Sequence, residues 1–321
     1  MTTRLNHVID ILQSIAPPRL AEEWDNVGLL IEPTTPKPIR RMLLTIDLTE
    51  PVLDEAIDGK AEVIVAYHPP IFSPLQRLTT ASVKQRLALR AIERGIAVYS
   101  PHTALDAAPG GVNDWLAEGL GEGDVQPIEH RSEHDPTQTH KVVVFTPPDV
   151  LDEMRQALTD AGAGVIGHYD HCAYHLEGYG TFRGDEASNP TVGERGRVER
   201  ADEVRMETVC GAGALPAVAA AIQRVHPYEE PAWDVYPLAA KPTANTGQGR
   251  LVTLRRAVSV KTLVDRVKKH LKLGHVRLAK PAGRSGSIKT IALCAGAGGS
   301  VIANVEADAY LTGEMRHHDT L

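Results

Sequence analysis

Histidines and carboxylates in this chain gather where apolar runs end. AEVIVAYHPP ends at His68, GIAVYSPHTALD at His102 and Asp106, and ADAYLTGEMRHHD at Glu314, His317, His318 and Asp319. Neutral imidazole binds divalent first-row metals, and a carboxylate can ligate or bridge them. In an open α/β sheet, ligands collect beyond the carboxyl ends of the strands. Three clusters far apart in sequence but equivalent in position therefore predict one shared metal-dependent catalytic or binding centre.

Each residue also has a plainer reading. Pro69-Pro70 pins the chain as it leaves the sheet after His68, and a histidine there could simply be buried and bonded to backbone. His102 and Asp106, four apart, share one face of a turn. The plainer role for Asp106 is to cap the helix GVNDWLAEGL, although Asn113 and Gly111 lie closer to its start. Glu314 has the chemistry of an acid/base, as does His102, and His317-His318 that of ligands or solvated side chains. Asp25-Asn26-Val27-Gly28 fits turn chemistry. After Cys294, AGAGGS resembles a phosphate-cradling loop, yet it lacks the lysine and spacing of a P-loop. HPYEEP from His226 and HYDHC from His168 read as structural turns or subunit contacts.

These residues need elements to position them. An amphipathic N-terminal helix is followed by a loop, EEWDNVGLLIEP, and a strand, RRMLLTIDL. The helices PVLDEAIDGK and SVKQRLALRAIERG then alternate with the strands EVIVAYH and IAVYS, the rhythm of a parallel sheet covered by helices. Residues 127–139 are polar and read as a boundary. A β-α-β-β-α-β order follows, the ferredoxin-like pattern. After the linker AAKPTANTGQG the first rhythm resumes with LVTLRR, VKTLVDRVKKHL, HVRLAK, IKTIALCAGAG and ADAYLTG. The expected architecture is a two-lobed, mainly parallel α/β core, residues 1–126 and 246–321, interrupted by a ferredoxin-like α+β insert at 140–240.

Composition narrows the function. Hydrophobic residues are 42% and charged residues 23% of 321, ordinary for a globular protein. Net charge is −7 and aromatics are only 4%, which argues against direct nucleic-acid binding and base-stacking platforms. No apolar run approaches the ~20 residues needed to span a bilayer. Three widely spaced cysteines fit neither a disulfide framework nor a zinc finger, and the expected compartment is cytoplasmic, with nuclear access open.

WDNVGLL at 24–30, YHPPIF at 67–72, HTALDAAPGGVND at 102–114, GHYDHCAY at 167–174, GYGTFRG at 178–184, HPYEEPAWDV at 226–235 and LTGEMRHHDTL at 311–321 together resemble the NIF-three-like family. Its bacterial members are called YbgI and are often labelled GTP cyclohydrolase I type two-like; YHPPIF with GEMRHHDTL looks like the eukaryotic branch. The resemblance implies an insert similar to the PII and CutA folds, a dinuclear centre of zinc, iron or manganese, and a homo-oligomer, often a hexamer. By position, His68 and Asp106 match metal ligands of that family. Tyr67 stands where many bacterial members have another histidine. The family's last two ligands lie in a GHxxTE-like segment beyond HHDTL, so the sequence reads as a fragment.

Two functional readings follow. In one, the chain is a metal-dependent, hydrolase-like protein acting on a phosphorylated or nucleotide-like substrate, with His68 and Asp106 holding metal and Glu314 or His102 as acid/base. In the other it is a non-catalytic oligomeric scaffold for protein partners such as transcriptional regulators.

Overall fold

The computed structural model describes residues 3–35, 37–280, 286–315 and 318. The chain divides into two compact units, Met1–Arg131 with Thr243–Leu321, and Ser132–Pro242.

In the first unit, helix α1 (Leu5–Ile15) precedes strands β1 (Gly28–Ile31) and β2 (Met42–Thr45). Helix α2 (Glu50–Asp58), strand β3 (Val63–Ala66), helix α3 (Val83–Arg94) and strand β4 (Ala97–Ser100) follow. The helices start and stop on local signals. Thr49 and Ser82 accept hydrogen bonds from Val52 and Gln85 backbone N–H groups at the starts of α2 and α3, the usual N-cap arrangement. Gly95 ends α3 in the left-handed region at φ 69°, where a side chain is disfavoured.

The sheet order is β1-β4-β3-β2. β2, β3 and β4 run parallel, and β1 runs antiparallel to β4. Every residue of β3 and β4 is buried, because both faces are covered. Ile64, Ala66 and Val98 pack with Leu53 of α2 and Leu87 of α3, while Val63, Val65, Ala97 and Tyr99 pack with Leu5, Val8 and Ile9 of α1. That double burial is why these strands read as continuous apolar runs.

The Tyr99 hydroxyl, in the layer under α1, finds no hydrogen-bond partner among the described residues. A buried polar group without a partner costs about 1–3 kcal/mol. Tyr99→Phe is therefore expected to raise the midpoint of urea unfolding. A fall of about 1 kcal/mol or more in stability would show that the hydroxyl is bonded in solution.

The chain continues through α4 (His102–Ala107), α5 (Val112–Glu118) and β5 (Gly123–Glu133), and returns after the second unit in β10 (Lys241–Ser259), α8 (Val260–Leu271), β11 (Ser287–Cys294), α9 (Gly299–Ile302) and β12 (Ala309–Thr312). This sheet is ordered β12-β11-β10-β5. β11 and β12 are parallel, but β10 and β11 are antiparallel, with Arg250 opposite Leu293. Gly123 lies against Thr253 and Leu254, and Gly247 against Glu129 and His130, so β5 and β10 also run in opposite directions. Leu263 and Val267 of α8 cover one face with Ala117 and Leu120. At the point where the second unit is inserted, the Thr243 hydroxyl donates to the Arg131 carbonyl at 2.8 Å.

The α/β class holds, and several element readings change. The supposed loop EEWDNVGLLIEP contains β1, the boundary at 127–139 begins inside β5, and the linker AAKPTANTGQG begins β10. HVRLAK forms no strand. The mainly parallel expectation holds for β2–β3–β4 and not for β10. An apolar run records that a strand is buried and carries no record of its direction.

The second unit comprises β6 (His140–Thr146), α6 (Leu151–Asp160), β7 (Ala173–Phe182), β8 (Glu199–Cys210), α7 (Leu215–Val225) and β9 (Trp233–Pro237). Its sheet is antiparallel, ordered β7-β8-β6-β9, which is the ferredoxin-like arrangement expected from the β-α-β-β-α-β order. Val142, Val144 and Met206 pack against Met154 and Leu158 of α6 and Val218 and Ile222 of α7.

Candidate metal centre at the strand ends

Backbone bonding carries the chain from β3 to His68. Tyr67 and His68 N–H groups donate to the Thr45 and Ile46 carbonyls at 2.9 Å each, so β2 and β3 stay paired past their ends. The Ser100 hydroxyl donates to the Tyr67 carbonyl at 2.9 Å, placing the end of β4 beside it. α4 then starts at His102, whose φ is 28°. A non-glycine residue in that region is strained, and such strain persists where surrounding contacts over-determine it. Here those contacts come from Asp25.

The His102 Nδ1 donates to Asp25 Oδ1 at 2.8 Å. Asp25 also accepts from the Thr103 N–H at 3.2 Å, the Thr103 hydroxyl, and the Asn26 N–H at 2.7 Å; its side chain is fully buried. Burial opposes its charge, but the bonds from Thr103, His102 and Asn26 outweigh it and hold the carboxyl below its usual range. The His68 Nδ1 donates to Asp47 Oδ1 at 2.8 Å, a half-exposed pair. The two imidazoles meet edge-on, ring centroids 5.5 Å apart.

Asp106 lies inside α4 and is buried, so it does not cap the next helix. Gly111 takes the N-cap position of α5. The Tyr67 hydroxyl donates to Asp106 Oδ1 at 2.6 Å. Burial pushes the Asp106 carboxyl up, opposed by the Tyr67 bond and the nearby histidines; burial and the Asp106 charge push the Tyr67 phenol up. Cys294, at the end of β11, is raised to about 11 by burial, with Asp106 and Glu129 adding to the effect.

Asn113, fully buried, ties the half-sheets together. Its side-chain amide donates to the Asp106 carbonyl at 3.1 Å and accepts from the Ala295 N–H at 2.8 Å. Arg250 of β10, 1% exposed, donates to the Gly247 and Gly249 carbonyls at 2.7 and 2.8 Å and pairs with Asp114 of α5. Gly249 has φ 60°, and a Cβ there would lie 2.9 Å from the Leu293 carbonyl.

Of the residues expected from sequence, His68, His102 and Asp106 come together. Glu314 does not join them by any hydrogen bond or ion pair among the described residues. It is exposed, and its N–H donates to the Gly296 carbonyl at 3.1 Å. His318 is exposed; His317 and Asp319 lie outside the described residues. His226 forms a structural turn, donating through Nε2 to the Phe145 carbonyl at 2.8 Å and accepting from the Tyr228 N–H. Sequence reasoning missed Asp47 and the Asp25 anchor. Asp47 ends an apolar strand as His68 does, and the same rule would have found it.

Metal-binding histidines commonly bond their second ring nitrogen to a carboxylate, which fixes tautomer and orientation. His68 and His102 both show that pattern and keep Nε2 for a ligand, and Asp106 keeps its second oxygen. The donor types suit a divalent transition metal. Among the described residues, however, no three His, Cys, Asp or Glu side chains converge closely enough to hold one.

A two-lobed α/β core with a ferredoxin-like insert, and histidines and aspartates at its strand ends, defines the class of protein. Within it, the chain belongs to the Duf34/NIF3 (NGG1p interacting factor 3) family, whose model matches residues 3–321. It is 39% identical to human NIF3-like protein 1 across 99% of this chain and 78% of that protein. It is 38% identical to the Bacillus subtilis GTP cyclohydrolase 1 type 2 homolog across 97% and 82%. A Bacillus cereus protein related to NIF3 superposes with TM-score 0.61 at 36% identity, covering 100% of this chain and 85% of that one. The Staphylococcus aureus protein SA1388 superposes at 0.73 and 26% identity, covering 99% and 83%.

Proposed function

We propose that the chain is a metal-dependent hydrolase-like protein with its centre at the ends of β3 and β4, acting on a phosphorylated or nucleotide-like substrate. The observation that carries this is the pair of imidazoles, His68 and His102, each anchored through Nδ1 to its own carboxylate beside a buried Asp106. His68, His102 and Asp106 supply donors of the right type for zinc, iron or manganese, and would have to draw closer together than they stand here to hold it. A divalent ion bound there would supply Lewis acidity, lowering the pKa of a water toward ~7. The protein's own part is orientation: Asp47 and Asp25 keep both Nε2 atoms free, and Tyr67 fixes the Asp106 carboxylate. The cyclohydrolase name of the Bacillus subtilis relative supports a hydrolytic role, and Glu314 is retained as the acid/base candidate, whereas His102, with Nδ1 bonded to Asp25, moves from the acid/base role expected of it to that of a ligand. A homo-oligomeric, cytoplasmic protein is part of the same proposal. No helix among the described residues is long and apolar enough to cross a membrane.

Elemental mass spectrometry of the purified chain tests the centre. Bound transition metal is expected in the wild type and lost in His68→Ala and Asp106→Ala. Metal content unchanged in both variants, or absent after zinc, iron and manganese are each offered, would reject it. The second reading, a non-catalytic interaction protein, draws on the family's description as an interacting factor. Partner capture that survives both substitutions would favour it.

A further inference from the structure

Charge is spread unevenly along the chain. Of its 34 Lys and Arg and 41 Asp and Glu, nine basic residues and one acidic residue, Asp265, fall between Arg255 and Lys280, leaving 25 against 40 in the remainder. The basic stretch comprises the end of β10, α8 and the segment that follows it. Cations at the close of a helix are ordinary, because they oppose its dipole, and Lys268, Lys269 and Lys272 close α8. Past the helix that reason lapses, yet Arg277 and Lys280 follow. The nearest carboxylates in sequence are already engaged: Asp265 pairs with Lys261 at 3.5 Å, and Glu122 with Arg255 at 3.3 Å. Among the described residues no carboxylate pairs with Lys269, Lys272, Arg277 or Lys280, and all four are exposed.

Two leucines stand among these cations. Leu273 follows Lys272 and Leu278 follows Arg277, and they are 47% and 52% exposed. The segment that carries them is held at several points. Lys272 takes the left-handed region at φ 55°, and the Leu273 N–H donates to the Lys268 carbonyl at 2.9 Å, which turns the chain at the helix end. Val276 then packs with Leu263 and Val267 of α8. His270 Nε2 donates to the Trp115 carbonyl at 2.7 Å and fixes the end of α8 to α5. Cations and leucines are thus displayed on a backbone that needs no ordering in order to bind.

We propose that Lys269, Lys272, Arg277 and Lys280, with Leu273 and Leu278, form a docking strip for an acidic amphipathic peptide segment of a partner protein. Its carboxylates would meet the cations and its apolar side chains the leucines. The composition of the strip selects this occupant. Between Tyr236 and Tyr310 the sequence has no Phe, Trp or Tyr, so nothing here stacks on bases or anchors in a membrane interface. Exposed leucines gain nothing against phosphates. Charges act over about 8 Å at physiological ionic strength. A nucleic-acid duplex or an anionic bilayer reaches well beyond the strip, and the acidic remainder of the chain opposes its approach. A peptide confined to the strip meets cations alone. The strip lies outside the histidine cluster, so the inference does not depend on a metal centre.

Fluorescence anisotropy with a labelled peptide of Glu-Glu-Leu-Leu repeated three times tests the strip. Binding is expected with a Kd on the order of 10 μM in dilute salt, weakening about tenfold or more in 300 mM NaCl as the charges are screened. Arg277→Glu combined with Lys280→Glu is expected to weaken it about tenfold or more, since like charges then face each other. Leu278→Ser is expected to weaken it about 3- to 30-fold and to leave the weaker binding of an all-Glu peptide unchanged. No binding at millimolar peptide, an affinity indifferent to salt, or full affinity in either variant would overturn the proposal. Displacement of the peptide by an equal concentration of duplex DNA or of phosphatidylserine vesicles would assign the strip to phosphates and overturn it as well. Melting curves confirm that the variants are folded, and should the double variant not fold, Lys269→Gln and Leu278→Ser decide.

Discussion

Arg250→Ala is expected to lower the stability of the α/β core by about 3–5 kcal/mol, the cost of breaking a buried ion pair by removing one partner. The Arg250 guanidinium is buried between β10 and α5, where it bonds to the Gly247 and Gly249 carbonyls and pairs with Asp114. Truncation strands both carbonyls and leaves a partly buried carboxylate without its cation. Among the described residues, Asp114 would keep only its bond from the Gly110 N–H, at 2.7 Å. Arg250→Met keeps most of the volume and should cost less than Arg250→Ala, and Arg250→Lys supplies charge without the planar fork. Because the chain has two compact units, scanning calorimetry is the right measurement, since a two-state midpoint would average them. An unchanged thermogram for Arg250→Ala would show that this network does not hold the core.

Asp25→Ala has the second largest expected effect. The carboxylate satisfies His102, both donors of Thr103 and the Asn26 N–H, so its removal leaves several buried donors without an acceptor, at about 1–3 kcal/mol each where unsatisfied. It also frees the His102 ring to rotate. Loss of such an outer partner typically costs 10–100-fold in metal affinity, so competition with a chelator should show that drop. The pH dependence carries the sign. The Asp25 carboxyl is held below its usual range in the folded protein. Its contribution is therefore complete above the unfolded value of ~3.9 and is lost as pH falls through the lower folded value. The difference in melting temperature between wild type and Asp25→Asn should narrow on going from pH 7 into that acid range. A constant gap down to pH 3 would mean the ionised form is not what stabilises the site.

Sequence reading succeeded where the physical signal was local. Continuous apolar runs exposed β3 and β4 because both of their faces are covered, and the residues ending those strands led to His68, His102 and Asp106. It failed where structure depends on distant partners. The four residues of β1 sit among turn formers and become a strand only by pairing with β4. The start of β10 is polar and glycine-rich and is held by β5. Arg250 heads an apolar run like any surface arginine, and the aspartate that pairs with it, Asp114, lies 136 residues away in sequence. Glu314 follows a strand as His68 does, and its side chain is exposed.

The hydrogen bond between Thr243 and Arg131 has a consequence during synthesis. The chain leaves the core at one side of that bond and re-enters at the other, after an excursion over residues 132–242. At roughly 5–20 residues per second, the ribosome needs on the order of ten seconds to complete it. At the end of that interval β5 still has no β10 beside it, while the ferredoxin-like unit has all of its own strands and can finish folding. A completed unit closes the gap between the core segments at little entropic cost, since loop closure grows only logarithmically with length. The late arrival of β10 then converts an open edge into a paired one in a single step.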